Sequence, residues 1–308
     1  MTLKLLITGS NGLLGKNILE KSKKKYKIIP LNSKICDLRN SKKTENFLLK
    51  SKPDIIIHAA NIVYGITGNK KNSYSLLNDN LLINTNILNA AKKIKPKKIV
   101  FISSSAVFAE KYKKNIKEKL LNNFLPHQSE LNYGLSKRIF YYQLVALKEQ
   151  YEIDFTYIIL NNIYGKYDNF NISTGHVIPA LIHKFYLAKK NNENLTILGK
   201  KNDKRCFLNA SDAAIAILKL VNKKINIINL SSKEEISILN LVNLIKKFYN
   251  YNGKITWKKL NINSPTRRHL NLDKLKKIKF KQKVSINHGI KETIEWFLKN
   301  YKNKELRK

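Results

Sequence analysis

Cysteine is scarce in this chain: there are two, Cys36 and Cys206, far apart in sequence. A disulfide framework needs more cysteines at compatible spacings, so the small cross-linked secreted scaffold is excluded. Acidic residues are also few, with 21 Asp and Glu against 59 Lys and Arg and a formal net charge of +38. Such a balance suggests nucleic acid, a membrane surface or an anionic small molecule as partner. Aromatic interleaving and a zinc-ligand pattern are both missing, and the lysines are scattered over nearly every surface segment, as in 21–27, 92–98 and 274–283. Runs of this kind read as solvated faces, with a general attraction for polyanions that salt weakens. No apolar run reaches membrane-spanning length, and the first residues, Met1 to Ile7, lead into a glycine-rich turn with no cleavable signal pattern. The expectation is a soluble cytoplasmic protein with no specific nucleic-acid partner, no membrane and no metal.

What is present points to an α/β enzyme. At 308 residues, 43% of them hydrophobic, the chain fits one large domain or two closely joined ones. The first half alternates short β-branched strands with helical patterns, the signature of a parallel sheet with crossover helices. Strands are expected at Leu3–Thr8, Tyr26–Leu31, Pro53–His58, Lys98–Ile102 and Phe155–Leu160. Helices are expected at Asn11–Lys23, Ser41–Lys50, a long segment that Pro96 ends, and Leu131–Glu149. Beyond Asn162 the texture changes to an Asn-, Gly- and Asp-rich loop at Tyr164–Gly175, followed by shorter elements. These include helices at Val177–Lys190, Asp212–Val221, Ser237–Tyr249 and Ile286–Lys299, with no internal repeat. The expected fold is a Rossmann-type doubly wound parallel sheet with a smaller C-terminal α/β substrate domain. The first unit takes 1–163 plus about 209–231, and the second takes 164–208 and 232–308.

The motifs agree with that fold. Thr8-Gly9-Ser10-Asn11-Gly12-Leu13-Leu14-Gly15 follows a strand and opens a helix. Gly9 permits the tight turn, Gly12 lets backbone approach a pyrophosphate, Gly15 allows close helix packing, and the helix N-terminus supplies amide donors. The second strand ends Leu31-Asn32-Ser33-Lys34 without a carboxylate, which favours NADP(H), with Ser33, Lys34 or Arg39 near the 2′-phosphate. NAD(H) is the alternative, since Asp37 follows shortly after. Ala59 and Ala60 give the small side chains that a cofactor crossing the sheet edge needs, and His58 beside them reads as structural. Ser103, Ser104 and Ser105 finish a strand, and Tyr133-Gly134-Leu135-Ser136-Lys137 follows some thirty residues on. A hydroxyl, a phenol and an ammonium together can move a proton onto a carbonyl oxygen as hydride reaches its carbon.

The glycine turn, Asp37-Leu38, His58-Ala59-Ala60, the serine cluster and Tyr133/Lys137 together resemble the extended short-chain dehydrogenase/reductase superfamily. Within it, Asn162-Ile163-Tyr164-Gly165, Asp168-Asn169-Phe170-Asn171, Gly175-His176-Val177-Ile178-Pro179 and Arg205-Cys206-Phe207 resemble the GDP-L-fucose synthase family over essentially the whole chain. The resemblance implies Tyr133 as proton donor to the C4 oxygen, Lys137 lowering its pKa and holding the nicotinamide ribose, and Ser104 bonding the same oxygen. Ser104 is selected by Val107, the apolar residue three positions on. His176 matches the general acid of epimerisation. The family's base is a cysteine two residues after the serine, and here that position is Ala106, whose methyl accepts no proton; Cys206 stays open as a substitute. Asn162, His176, Lys184, Arg205 and Arg267 are implied as substrate contacts, with Lys184 open to the reading of a surface lysine.

A homodimer through the Tyr133 helix is implied too, although Ile139, Phe140, Tyr141, Leu144 and Val145 suit burial on the sheet equally well. The expectation is therefore an NADPH-dependent C4-reductase of a GDP-4-keto-6-deoxy-sugar, hexose or heptose, with epimerisation absent or impaired. A bifunctional 3,5-epimerase/4-reductase is the first alternative, and a nucleotide-sugar 4-epimerase or dehydratase that retains its cofactor is the second. A polyanion-binding protein on a reductase scaffold is the non-enzymatic one.

Overall fold

The computed structural model describes residues 2–22, 25–64, 66–258, 267–303 and 306. β1 (Lys4–Thr8), α1 (Leu13–Ser22), β2 (Lys27–Leu31), α2 (Ser41–Ser51) and β3 (Ile55–His58) come first. They are followed by α3 (Ile66–Lys71), α4 (Ser73–Ile94), β4 (Lys98–Ser104), α5 (Leu131–Tyr151) and β5 (Asp154–Leu160). The remainder runs β6 (Asn162–Tyr164), α6 (Val177–Lys190), β7 (Leu195–Leu198), β8 (Lys204–Asn209), α7 (Ala210–Leu220) and β9 (Ile227–Leu230). β10 (Glu235–Ser237), α8 (Ile238–Tyr249), β11 (Ile255–Lys258) and α9 (Ile286–Lys302) complete it.

Six strands form a parallel sheet in the order β2-β1-β3-β4-β5-β9. Alternation along the strands explains why it is covered on both faces. Leu6, Ile56, Ile99, Phe101 and Tyr157 point to one side, where Leu48 of α2, Ile83 and Ile87 of α4 and Phe140 and Leu144 of α5 meet them. Leu5, Ile7, Ile57, Val100, Ile158 and Leu230 point to the other, against Ile18 of α1 and Ala213 and Ile217 of α7. A strand buried on both faces has no polar position to spare, hence the near-continuous Ile, Leu and Val runs. The strand order reverses between β1 and β3, and the crevice at their carboxyl ends is where such sheets bind ligands. α4 stops at Ile94 because Lys95, which precedes Pro96, adopts left-handed geometry with its N–H on Ala91 O.

The second unit gathers β10-β8-β6 and β11-β7. Its core joins Phe185 of α6, Leu241 and Ile245 of α8, and Ile290 and Phe297 of α9. Two sequence expectations are corrected. Residues 232–308 do not all belong to this unit: Leu270 packs in one Rossmann core and bridges Ile116, and Leu275 and Ile278 pack in the other. The helix expected from Asp212 begins two residues earlier, with Asn209 as its cap through a bond from Ser211 N–H. Asp212 instead accepts the backbone N–H groups of Lys283 and Val284 at 3.0 and 2.8 Å, tying the run into α9 to the first unit. Among the described residues no helix is long and apolar enough to cross a membrane, and no His, Cys, Asp and Glu cluster could hold a metal.

Candidate active site

A cavity of about 970 Å³ runs from the glycine turn across the sheet ends into the second unit. At its first end Gly9 has φ 68°, a left-handed conformation that glycine adopts without cost, and Gly12 N–H closes the turn on Gly9 O at 2.9 Å. A Cβ on Gly9 would stand 2.9 Å from Ala60 Cα, and one on Gly15 would stand 2.2 Å from Gly9 O. Backbone therefore forms this wall where a pyrophosphate needs close approach, so the turn fits a dinucleotide. Thr8 Oγ1 accepts the N–H groups of Ala59 and Ala60 at 3.1 and 3.0 Å, so its hydroxyl proton goes to His58 Nδ1 at 2.8 Å. That assignment puts the imidazole proton on Nε2, facing Asn84 Oδ1 at 3.1 Å. Burial, then the charge of Lys137, lowers His58 to about 3, so it is a neutral strut between strands.

Asn11, Gly12, Leu13, Ser33, Asp37, Leu38, Ala59 and Ala60 reach the cavity wall along with the two glycines. Ser10 and Lys34 do not: Ser10 is buried beneath the turn and Lys34 is exposed outside it. Arg39, on the wall, grips Asp37 with Nε at 3.0 Å and Nη2 at 2.8 Å, and its Nη1 meets Asp79 at 3.1 Å. This contact holds the Asp37 carboxyl below its ordinary value.

The three serines separate by their partners. Ser103 Oγ donates to Tyr157 Oη at 2.6 Å, and Ser105 Oγ donates to Asn161 Oδ1 at 3.1 Å. Ser104 Oγ accepts Ala106 N–H at 3.2 Å as the cap of a 3-10 turn at Ser105–Val107, which leaves its own proton to donate. Gly134 explains how α5 comes so near: a Cβ there would meet Ala106 O at 2.6 Å. One turn apart on that helix, Tyr133 and Lys137 face the same wall as Ser104. Lys137 Nζ donates to Ile102 O at 2.8 Å and lies 4.6 Å from the Phe101 ring centre and 5.4 Å from that of Tyr133. Burial pushes Lys137 well below its ordinary value; burial first, then the charge of Glu130, pushes the Tyr133 phenol up.

At the far end stand Asn162 on β6, His176 at the start of α6, Arg205 on β8, and Arg267. Asn162 backbone N–H donates to Asn161 Oδ1 at 3.0 Å. Arg205 pairs with Asp203 at 3.5 Å, and Arg267 Nε donates to Glu235 at 2.6 Å. Lys184 lies on α6 but not on the cavity wall, so the structure does not bring it to the other substrate candidates. Cys206 is turned away as well. It alternates along β8 with Arg205 and Phe207, which do reach the wall, and burial, then the charge of Glu235, raises its thiol to about 12. It is therefore no substitute base. Ala106 is 1% exposed and off the wall. Glu130 and Arg268, joined at 2.6 Å on the wall, were missed by the sequence reading. Their only signals were an acid three residues before Tyr133 and a second arginine after Arg267.

A doubly wound sheet with this glycine turn and with Ser104, Tyr133 and Lys137 on one cavity defines the short-chain dehydrogenase/reductase class. The chain belongs to the NAD dependent epimerase/dehydratase family, whose pattern matches residues 5–231. It is 33% identical over 306 residues to GDP-L-fucose synthase of Dictyostelium discoideum, covering 96% of each chain. With GDP-L-colitose synthase of Yersinia pseudotuberculosis it shares 31% over 310 residues, covering 98% of this chain and all of that one. A GDP-L-fucose synthetase from Naegleria fowleri bound to NADP superposes with a TM-score of 0.90 at 30% identity, covering 100% and 97%. A GDP-mannoheptose C4 reductase from Campylobacter jejuni with NADP bound shares the fold, with a TM-score of 0.85 at 23% identity, covering 96% and 98%.

Proposed function

We propose that the protein is an NADPH-dependent C4-reductase of a GDP-4-keto-6-deoxy-sugar, hexose or heptose, in which 3,5-epimerisation is absent or strongly impaired. One observation carries the reading: Ser104, Tyr133 and Lys137 share a cavity wall, while Ala106, at the position of the family's epimerase base, is a buried methyl off that wall. The relatives named for GDP-sugars and the NADP in the Naegleria neighbour support the substrate class and the cofactor. The residues for the dinucleotide are the backbone of Gly9 to Gly15, Ala59 and Ala60, and Ser33 with Arg39 for the 2′-phosphate.

The dinucleotide supplies the hydride to C4. Tyr133 gives its proton to the C4 oxygen, turning ketone into alcohol, and Ser104 donates a hydrogen bond to the same oxygen as its charge develops. Lys137, beside the phenol in a desolvated site, stabilises as an ammonium the phenolate left behind, the developing phenolate charge offsetting the burial that disfavours its protonation. Arg205 and Arg267 meet the diphosphate, and Asn162 and His176 meet the sugar. Incubation with GDP-4-keto-6-deoxy-mannose in deuterated water without NADPH tests the reading. Little or no deuterium enters C3 or C5 on the proposed reading, whereas rapid uptake makes the protein a bifunctional 3,5-epimerase/4-reductase.

We also propose a homodimer through α4 and α5, whose outer faces expose Tyr74, Leu82, Ile139 and Tyr142. Exposed apolar side chains on two adjacent helices suit a second copy of the same surface.

A further inference from the structure

Glu130 stands at the N-cap of α5 yet makes no capping bond. An acid at a helix start ordinarily accepts from the exposed amides there. This one is turned into the cavity, where it accepts Arg268 Nη1 at 2.6 Å. Arg268 is itself fixed: it is 9% exposed, its backbone oxygen accepts Asn161 Nδ2 at 3.0 Å, and its Nη2 reaches Phe108 O at 3.5 Å. The bridge joins residues 138 apart in sequence and holds a carboxylate in place three residues before Tyr133, on the helix face that carries the phenol.

We propose that Glu130 is a positioning residue for proton transfer: held by Arg268 on the cavity wall, its negative charge raises the proton affinity of Tyr133. The inference rests on Tyr133 being the proton donor. A nearby negative charge disfavours phenolate, and a guanidinium clamped to that charge offsets part of the effect. Burial first, then the charge of Glu130, raises the phenol. The other charged or titratable groups around it are Lys137 on its own helix, Tyr157 on β5 and His58 on β3 behind Lys137. Elsewhere on the cavity wall stand Cys36, Asp37, Arg39, Tyr64, Asp168, His176, Lys200, Asp203, Arg205 and Arg267. None of these is on the Tyr133 face within one turn except Lys137, whose charge acts in the opposite sense.

The test is a pH titration of protein labelled with ¹³Cζ-tyrosine in complex with NADP⁺, the Tyr133 signal being assigned by its loss in Tyr133→Phe. Glu130→Gln lowers the Tyr133 midpoint by about one pH unit, Glu130→Asp restores it, and Arg268→Gln moves it upward. An unchanged midpoint in Glu130→Gln overturns the inference; if that variant does not fold, an unchanged or lowered midpoint in Arg268→Gln does so. The titration needs no sugar substrate. Normal turnover by Tyr133→Phe would instead remove the proton donor itself, a separate failure with a separate readout.

Discussion

Ala106→Cys puts a thiol at the position where the resemblance to GDP-L-fucose synthases implies an epimerase base. The site is tight, since Ala106 is 1% exposed and its carbonyl lies 2.6 Å from where a Cβ on Gly134 would be. One added sulfur in a packed site costs about 1–3 kcal/mol of stability. A general base contributes roughly 10²–10⁴-fold to proton abstraction, so the variant should exchange C3 and C5 protons of GDP-4-keto-6-deoxy-mannose at least about 100-fold faster than wild type. Burial works against that gain. It raises the thiols of Cys36 and Cys206, and the new thiol must reach the wall to escape the same fate. The assay is deuterium incorporation followed by ¹H NMR, with urea melts to separate exchange from unfolding. Wild-type exchange as fast as that of the variant refutes the reasoning, because the base would then be a group other than residue 106.

Three further outcomes are expected. Tyr133→Phe lowers kcat for NADPH oxidation by about 10²–10⁴-fold with NADPH affinity little changed, measured by stopped-flow and by titration of nucleotide fluorescence. Lys98 is 7% exposed, and its ammonium donates to Leu220 O at 3.1 Å and also to Lys223 O. Burial first lowers its pKa from 10.5 to about 8, so the folded state binds fewer protons between those values and stability rises with pH there. At about 1.4 kcal/mol per pH unit the effect is about 3 kcal/mol. Urea unfolding from pH 8 to 10.5 should show wild type gaining that amount relative to Lys98→Met; a constant difference refutes it. Sedimentation velocity should find a dimer that Ile139→Lys with Tyr142→Lys converts to monomer, and a wild-type monomer removes the proposed interface.

The parts legible in sequence were those set by local chemistry. The glycine turn, the β-branched strands and the Tyr-x-x-x-Lys spacing each act within a few residues, and the first unit follows from them. Short elements with little local signal were not legible. β6 and β10 are three residues each and exist because β8 lies between them. The cap of α7 was misassigned because Asn209 and Asp212 are both good capping residues, and only the distant N–H groups of Lys283 and Val284 decide that Asp212 is used elsewhere. Lys184 could not be told from a surface lysine in so lysine-rich a chain. Long-range pairs such as Glu130 with Arg268 and Arg267 with Glu235 leave no local trace of which residue pairs with which.

The charge of +38 divides into two populations once the arginines are located. Six of the 59 basic residues are Arg, and four of them, Arg39, Arg205, Arg267 and Arg268, lie on the cavity wall. Each is met by an acid: Arg39 by Asp37 and Asp79, Arg205 by Asp203, Arg267 by Glu235, and Arg268 by Glu130. In a chain with only 21 acids, five of them are assigned to these four guanidiniums. A planar fork already oriented by a carboxylate loses less freedom when it meets a phosphate than a lysine would, and the paired acid keeps the site from attracting every anion alike. The scattered surface lysines supply only a long-range attraction that physiological salt screens within about 8 Å. On the proposed reading, recognition of the anionic ligands rests with the arginine–acid pairs of the cavity, and the composition that first suggests a polyanion binder describes the solvent-facing shell around it.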